Sequence, residues 1–170
     1  MKIFNSLTGK KETFRSKINE EVSIYICGLT PYDDVHIGHA RTFVNFDVIV
    51  KFFKFLGFKV RYVRNITDVD DKIINRAKEE GIPALDLSKK YIKEMHDDFS
   101  SLGIESPDVE PKVSDHIDEI ISMIQSLEEK GYAYRKKESD VFFDVQKFKE
   151  YGKLSNRSLE QLTAAERTVV

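Results

Sequence analysis

The chain has 170 residues, 41% of them hydrophobic and 33% charged, with a formal net charge of −2. This is a globular composition, long enough to bury a core in one domain or in one domain plus a small second; it excludes a disordered chain and leaves any nucleic-acid partner to a local basic patch. The single cysteine, Cys27, forms no internal disulfide, the start MKIFNSLTGKK has no apolar leader and no run reaches membrane-spanning length, so a cytoplasmic protein with no membrane partner is expected.

Residues 21–27, EVSIYIC, are β-branched and aromatic with rough alternation and stop at Gly28, the pattern of a short buried strand. GLTPYDD at 28–34 carries Gly, Pro and two Asp and reads as a loop. From His36 the apolar residues Ile37, Phe43, Val44, Val48, Phe52, Phe55 and Leu56 recur three and four apart, predicting a long helix that ends near Gly57. FKVRYVRNI at 58–66 alternates again, a second strand. Strand, helix, strand is a βαβ unit with parallel pairing. Thr67, with Asp70 three residues on, is a plausible helix start and Gly81 its stop. A helix from Pro83 to Leu102 carries Leu85, Ile92, Met95, Phe99 and Leu102 on one stripe, and SPDVEP breaks it. A further helix from Ser114 to Lys130 turns Ile117, Ile120, Ile121, Ile124 and Leu127 inward, and YAYRKKESDVFFDV reads as a hairpin with a charged turn. A short helix is expected from Ser158. The change of pattern near Ile82 divides the chain into a βαβ core, residues 1–82, and a mostly helical appendage with a hairpin, residues 83–170.

GLTPYDDVHIGH lies beyond the carboxyl end of the first strand, where open α/β sheets bind ligands. A helix starting near His36 would present free backbone N–H groups and the positive end of its dipole. His36 and His39 share one face of its first turn, and Gly38 between them lacks a Cβ, so a base or phosphate could approach the backbone. Such a turn suits a nucleotide triphosphate. The chain has neither a G-x-x-x-x-G-K-[ST] loop nor H-E-x-x-H. An isolated H-x-G-H is read equally well as two histidines capping a helix or facing solvent; the strands on either side and the loop favour a ligand site. Cys27 alone reads as a small buried hydrophobe. TDVDDK is not a calcium loop, because Lys72 and Ile73 stand where a ligand and a glycine are needed. Asp68, Asp70 and Asp71 then read as acidic residues of a first helical turn, and His96 and His116 as surface or interhelix residues.

CGLTPYDDVHIGHARTFVNFDVI followed by RYVRNITDVDDKIINRA resembles the N-terminal catalytic region of the cysteinyl-tRNA synthetases, a family of class I aminoacyl-tRNA synthetases. His36–His39 match the HIGH motif of that class. The similarity runs from KIFNSLTGKKE to DVFFDV and YGKLS, nearly the whole chain. It departs at Pro31, where the family's loop is expected to carry another residue; a proline there draws Thr30 toward an extended conformation. The resemblance implies an α/β fold, the first half of a class I Rossmann-like nucleotide-binding fold, with residues 83–170 as its connective insertion. It implies ATP-dependent activation of L-cysteine to cysteinyl-adenylate and transfer to tRNA(Cys), with Mg2+ on the ATP and Zn2+ reading the substrate thiolate. Zinc suits that role, because cysteine and serine are near-isosteres and a soft metal with an open position reads the one atom that differs. The resemblance places Cys27 as the first zinc ligand and Gly28, Thr30 and Thr67 around the amino and carboxylate groups. It places His36, Gly38 and His39 at the ATP, the histidines donating to phosphoryl oxygens. The other zinc ligands, the KMSKS loop and the main tRNA-binding regions are implied beyond residue 170. By length the chain resembles roughly the first third of a family member, and alone it is expected to be inactive. YRKK at 134–137 reads as a solvated turn. A cysteine-activating ligase with a small amine acceptor and a non-catalytic nucleotide-binding fragment stay open; a small nucleotidyltransferase would not explain Cys27 or NITDVDDKI.

Overall fold

The computed structural model of the chain describes residues 1–18, 20–136 and 140–157. The chain divides into two units. One combines Met1–Arg15 with the chain from Asp118 onward, and the other is Ser16–Ile117.

In the first unit, β1 (Lys2–Asn5) and β2 (Lys10–Thr13) form an antiparallel hairpin with Lys2 opposite Thr13. Gly9 sits in its turn at φ 66°, where a Cβ would be strained. This hairpin is not foreseen from the sequence, because its strands are four residues long and charged.

The Ser16–Ile117 unit is built on two parallel strands, β3 (Glu21–Ile26) and β4 (Lys59–Arg64), in register from Glu21↔Lys59 to Ile26↔Arg64. They are joined by α1 (Ile37–Phe55), the expected βαβ arrangement within an α/β fold. One face of the pair carries Val22, Ile24 and Ile26 beside Val60 and Tyr62. Against it pack Phe43 and Val50 of α1 and Ile92, Met95 and Phe99 of α3 (Ala84–Ser101). Burying each such side chain contributes roughly 1.5–3 kcal/mol. A second cluster joins Ile73 and Ala77 of α2 (Asp71–Glu80) to Leu87 and Tyr91 of α3. The sequence boundary near Ile82 thus falls between two helices packed on each other, and α3 shares the core of the strands. The other side of α1 leaves Val48, Phe52 and Phe55 exposed.

A third strand-like segment escapes the sequence pattern. After α3 the chain returns beside β4: Arg64 N donates to the Val109 carbonyl, Ile66 N to that of Pro111, and Val113 N to that of Ile66. These are parallel bridges, Val63↔Val109 and Ile66↔Lys112. The prolines of SPDVEP, read as breakers, cost no bond here, because Pro111 is needed only as an acceptor. Two buried carboxylates fix the return. Asp47 of α1 accepts from Glu105 N, and Asp68 accepts from Ser114 N and Ser114 Oγ. Asp68 is therefore an interior acceptor and not a residue of the first helical turn. The helix it was assigned to starts later, with Asp70 as N-cap taking the Lys72 N–H, and it ends as expected at Gly81, φ 70°.

The helix expected from Ser114 to Lys130 is a 3-10 turn, Val113–His116, followed by α4 (Ile117–Glu129). Its apolar stripe is only partly covered: Ile124 and Leu127 are half-buried, whereas Ile117, Ile120 and Ile121 are exposed and no α4 residue is fully buried. β5 (Ala133–Lys136) and β6 (Asp140–Phe143) form the expected hairpin, Ala133 opposite Phe143. Tyr134, Arg135 and Lys136, read as part of the charged turn, are strand residues paired with β6; residues 137–139 and the helix expected from Ser158 lie outside the described residues. Among the described residues no helix is long and apolar enough to cross a membrane.

Candidate active site

Beyond the carboxyl ends of β3 and β4 lies a cavity of about 450 Å³. The loop after β3 supplies Cys27, Gly28, Leu29 and Thr30 to its wall, and the start of α1 supplies His36, His39, Thr42 and Phe43. Cys27 is free and exposed. A strand end, a loop and a helix start therefore bring Cys27, Gly28, Thr30, His36 and His39 to one cavity.

The two histidines also build the helix start. His36 is the N-cap of α1: its Nδ1 accepts from Gly38 N at 3.0 Å and its ring also takes the His39 N–H, while His39 Nδ1 accepts from His36 N at 3.3 Å. This is a capping box made by imidazoles instead of the usual hydroxyl and carboxamide. The N–H groups of Gly38 and His39, expected to be free for an anion, are thus occupied. Chemistry moves to the rings instead. A neutral imidazole whose Nδ1 accepts carries its proton on Nε2, so both rings keep an Nε2–H donor for another partner. The His39 pKa is lowered, first by desolvation and then by the charge of His36.

Gly38 does not line the cavity. A Cβ there would stand 2.8 Å from His36 Cε1 and 3.0 Å from His36 Nδ1. The room left by its bare backbone is filled by the His36 ring, so the glycine serves the cap. Thr67 does not line the cavity either. Its backbone N donates to the Leu29 carbonyl and its Oγ1 accepts from Asn65 Nδ2, which anchors the cavity loop from behind. Pro31 is fully buried.

The sequence reading did not single out Tyr32, Asp33, Asp34 and Lys72, which also line the cavity. The Lys72 ammonium lies 5.4 Å from the centre of the Tyr32 ring, a cation–π contact, and is a positive charge beside the histidines. It sits in α2, forty residues on in sequence, and only the fold shows it.

Among the described residues no group of three or more His, Cys, Asp or Glu could hold a metal ion. Cys27 offers one sulfur donor, whereas a catalytic zinc usually has three protein ligands. His96 is engaged elsewhere, its Nε2 lying 2.7 Å from Glu110 Oε2.

The model of the tRNA synthetases class I (C) catalytic domain matches residues 13–170. The chain is 52% identical over 168 residues to a cysteine–tRNA ligase of Idiomarina loihiensis, covering 99% of this chain and 37% of that protein. It is 52% identical over 170 residues to one of Pasteurella multocida, covering 100% of this chain and 37% of the relative. It is also 53% identical over 167 residues to one of a Sulfurihydrogenibium species, covering 98% of this chain and 34% of the relative. The chain therefore spans little more than a third of the length of these curated relatives.

Proposed function

From the premise that this chain belongs to the family of class I (C) tRNA synthetase catalytic domains, we propose that the whole protein activates L-cysteine with ATP and passes the cysteinyl group to tRNA(Cys). The observation that carries the proposal is the meeting of Cys27 with His36 and His39 on one cavity at the ends of parallel strands. The βαβ unit is read as the first half of a Rossmann-like fold, with the chain after residue 82 as its insertion; a ligand cavity at the strand ends supports that reading. A cytoplasmic location fits the same role.

In the reaction, the cysteine carboxylate attacks the α-phosphorus of ATP and pyrophosphate leaves. Catalysis is then alignment and stabilisation of charge on the phosphoryl oxygens. The Nε2–H groups of His36 and His39 are the donors for those oxygens, and Lys72 adds a positive charge to the same wall. Gly28 and Thr30 line the amino-acid end, and Thr67 braces it from behind. Magnesium accompanies the triphosphate. Zinc, when bound, supplies a soft centre that distinguishes a thiolate from a hydroxyl. In this chain Cys27 would be one of its ligands, and the others would come from parts of the whole protein that this chain does not span. The 170-residue chain by itself would then neither charge tRNA nor retain zinc.

The test is cysteine-dependent ATP–pyrophosphate exchange by the whole protein, with bound zinc measured by elemental analysis. Cys27→Ser changes an exposed side chain and is expected to lower the zinc content and to abolish the preference for cysteine over serine. Exchange that does not depend on cysteine in the unaltered protein, or full zinc and full discrimination in the variant, would refute the proposal.

A further inference from the structure

We propose that Asn65 is a positioning residue of the amino-acid site: its side-chain amide fixes the Cys27–Gly28 turn against the cavity. The inference rests on reading this cavity as a cysteine-activating site. Asn65 does not line the cavity and acts through the backbone it holds.

The β3–β4 register ends at Ile26↔Arg64. Cys27 and Gly28 lie just past that last pair, where no ladder bond sets their height. The Asn65 side chain takes over at this point. Its Oδ1 accepts from Gly28 N at 2.8 Å and from the Tyr25 hydroxyl at 2.9 Å, and its Nδ2 donates to Thr67 Oγ1 at 3.3 Å. One side chain thus ties the end of β3, the turn that carries Cys27 and the loop after β4. A primary amide suits the junction because it offers an oxygen that accepts twice and a nitrogen that donates. The backbone closes the same contact, since a Cβ at Gly28 would lie 1.5 Å from the Asn65 carbonyl oxygen. The donation from Nδ2 also leaves the Thr67 hydroxyl hydrogen free for another acceptor.

The test uses the whole protein. ATP–pyrophosphate exchange is measured against cysteine and against ATP for the unaltered protein and for Asn65→Ala, Asn65→Asp and Tyr25→Phe, with thermal melting of each. Asn65→Ala is expected to raise KM for cysteine about tenfold, the scale of one lost hydrogen bond with a half-buried N–H left unpaired, while KM for ATP stays within about twofold. Asn65→Asp keeps an acceptor for Gly28 N–H and can take the Thr67 hydroxyl proton, so its KM for cysteine is expected within about threefold of the original. Tyr25→Phe removes one of the two hydrogen bonds to Asn65 Oδ1, at an exposed hydroxyl, and is expected to raise KM for cysteine by no more than about threefold with KM for ATP in place. A role in folding alone would lower the active fraction, and with it kcat, without separating the two KM values. An unchanged KM for cysteine in Asn65→Ala, a parallel rise in both KM values, or Asp behaving like Ala overturns the inference. If Asn65→Ala does not fold, Asn65→Ser carries the same comparison. Absence of cysteine-dependent exchange in the unaltered protein would refute the activity itself, and this inference with it.

Discussion

The imidazoles of His36 and His39 stack with 3.8 Å between ring centroids and 22° between planes. Stacking and capping are one arrangement, since each Nδ1 is turned into the helix start. Of the two readings open from the sequence, the hydrogen bonds show the capping pair; the ligand-binding role proposed above uses the other nitrogen of the same rings. The cap sets which nitrogen is left to donate.

This dual use can be separated by substitution. Asparagine is among the best N-cap residues, so His36→Asn in the whole protein is expected to keep α1 and to change stability by no more than about 0.5 kcal/mol. Under the proposed activity it also removes an Nε2–H donor to the phosphoryl oxygens, and exchange is expected to fall about 10²–10³-fold, mostly in kcat. Thermal melting and exchange kinetics on one preparation check it. A variant exchanging within a few-fold of the original would show that His36 only caps.

His39 makes a prediction in pH. Its folded pKa lies below its unfolded value. Above the unfolded pKa neither state binds the proton and His39 adds nothing to the pH dependence. As pH falls below it, the unfolded chain takes the proton first, so stability declines until the folded pKa is passed and is constant thereafter. His39→Asn removes this loss. Its stability relative to the original protein is expected to rise on going from about pH 8 to about pH 5, followed by urea denaturation. Parallel curves for the two proteins would contradict the assignment.

The βαβ unit was legible because Lys59–Arg64 alternates and because Ile37–Phe55 is a long apolar stretch, apolar on more than one face, that starts after a loop and stops at Gly57. That Cys27, Gly28, Thr30, His36 and His39 share one cavity follows from their falling within thirteen residues of one another; the roles proposed for them came from the family resemblance and not from the spacing. What stayed hidden depends on contacts distant in sequence. The strand-like return at Val109–Val113 is held by Tyr62, Arg64 and Ile66, more than forty residues earlier. Asp68 looked like a helix-start carboxylate until Ser114 came to it. Gly38 looked like an opening for a ligand, and only the position of the His36 ring shows that the opening is taken.

Gly28 has a use that the sequence did not reveal. With a Cβ 1.5 Å from the Asn65 carbonyl oxygen, Gly28→Ala cannot be absorbed by a rotamer change, because both partners are backbone. The loop has to move, at a cost of about 1–3 kcal/mol, and Cys27 moves with it. A lower melting temperature together with weakened cysteine binding is expected in the whole protein. Retention of both would mean that the turn has slack the structure does not show.

The last prediction concerns the interior. The Arg64 side chain is 3% exposed, with its guanidinium centre 5.3 Å from the Phe43 ring centre and 4.9 Å from that of Phe99. Its Nε and Nη2 both meet Glu110 Oε1, while Nη1 is buried without a hydrogen-bond partner. Glu110 is the ion-pair partner of this cation, and its other oxygen is shared with His96. Removing the carboxylate strands a buried charge, so Glu110→Ala is expected to cost about 3–5 kcal/mol. The pair as a whole is a different matter, because Arg64 already lies between two aromatic rings. Replacing it by an unbranched apolar side chain keeps those contacts and removes the charge that needed Glu110. The double variant Arg64→Met, Glu110→Ala is therefore expected to be more stable than Glu110→Ala alone, by at least about 1 kcal/mol. Urea denaturation of the original protein, the two single variants and the double variant completes the cycle. A double variant less stable than Glu110→Ala would show that the arginine stabilises this core by packing more than its buried charge costs.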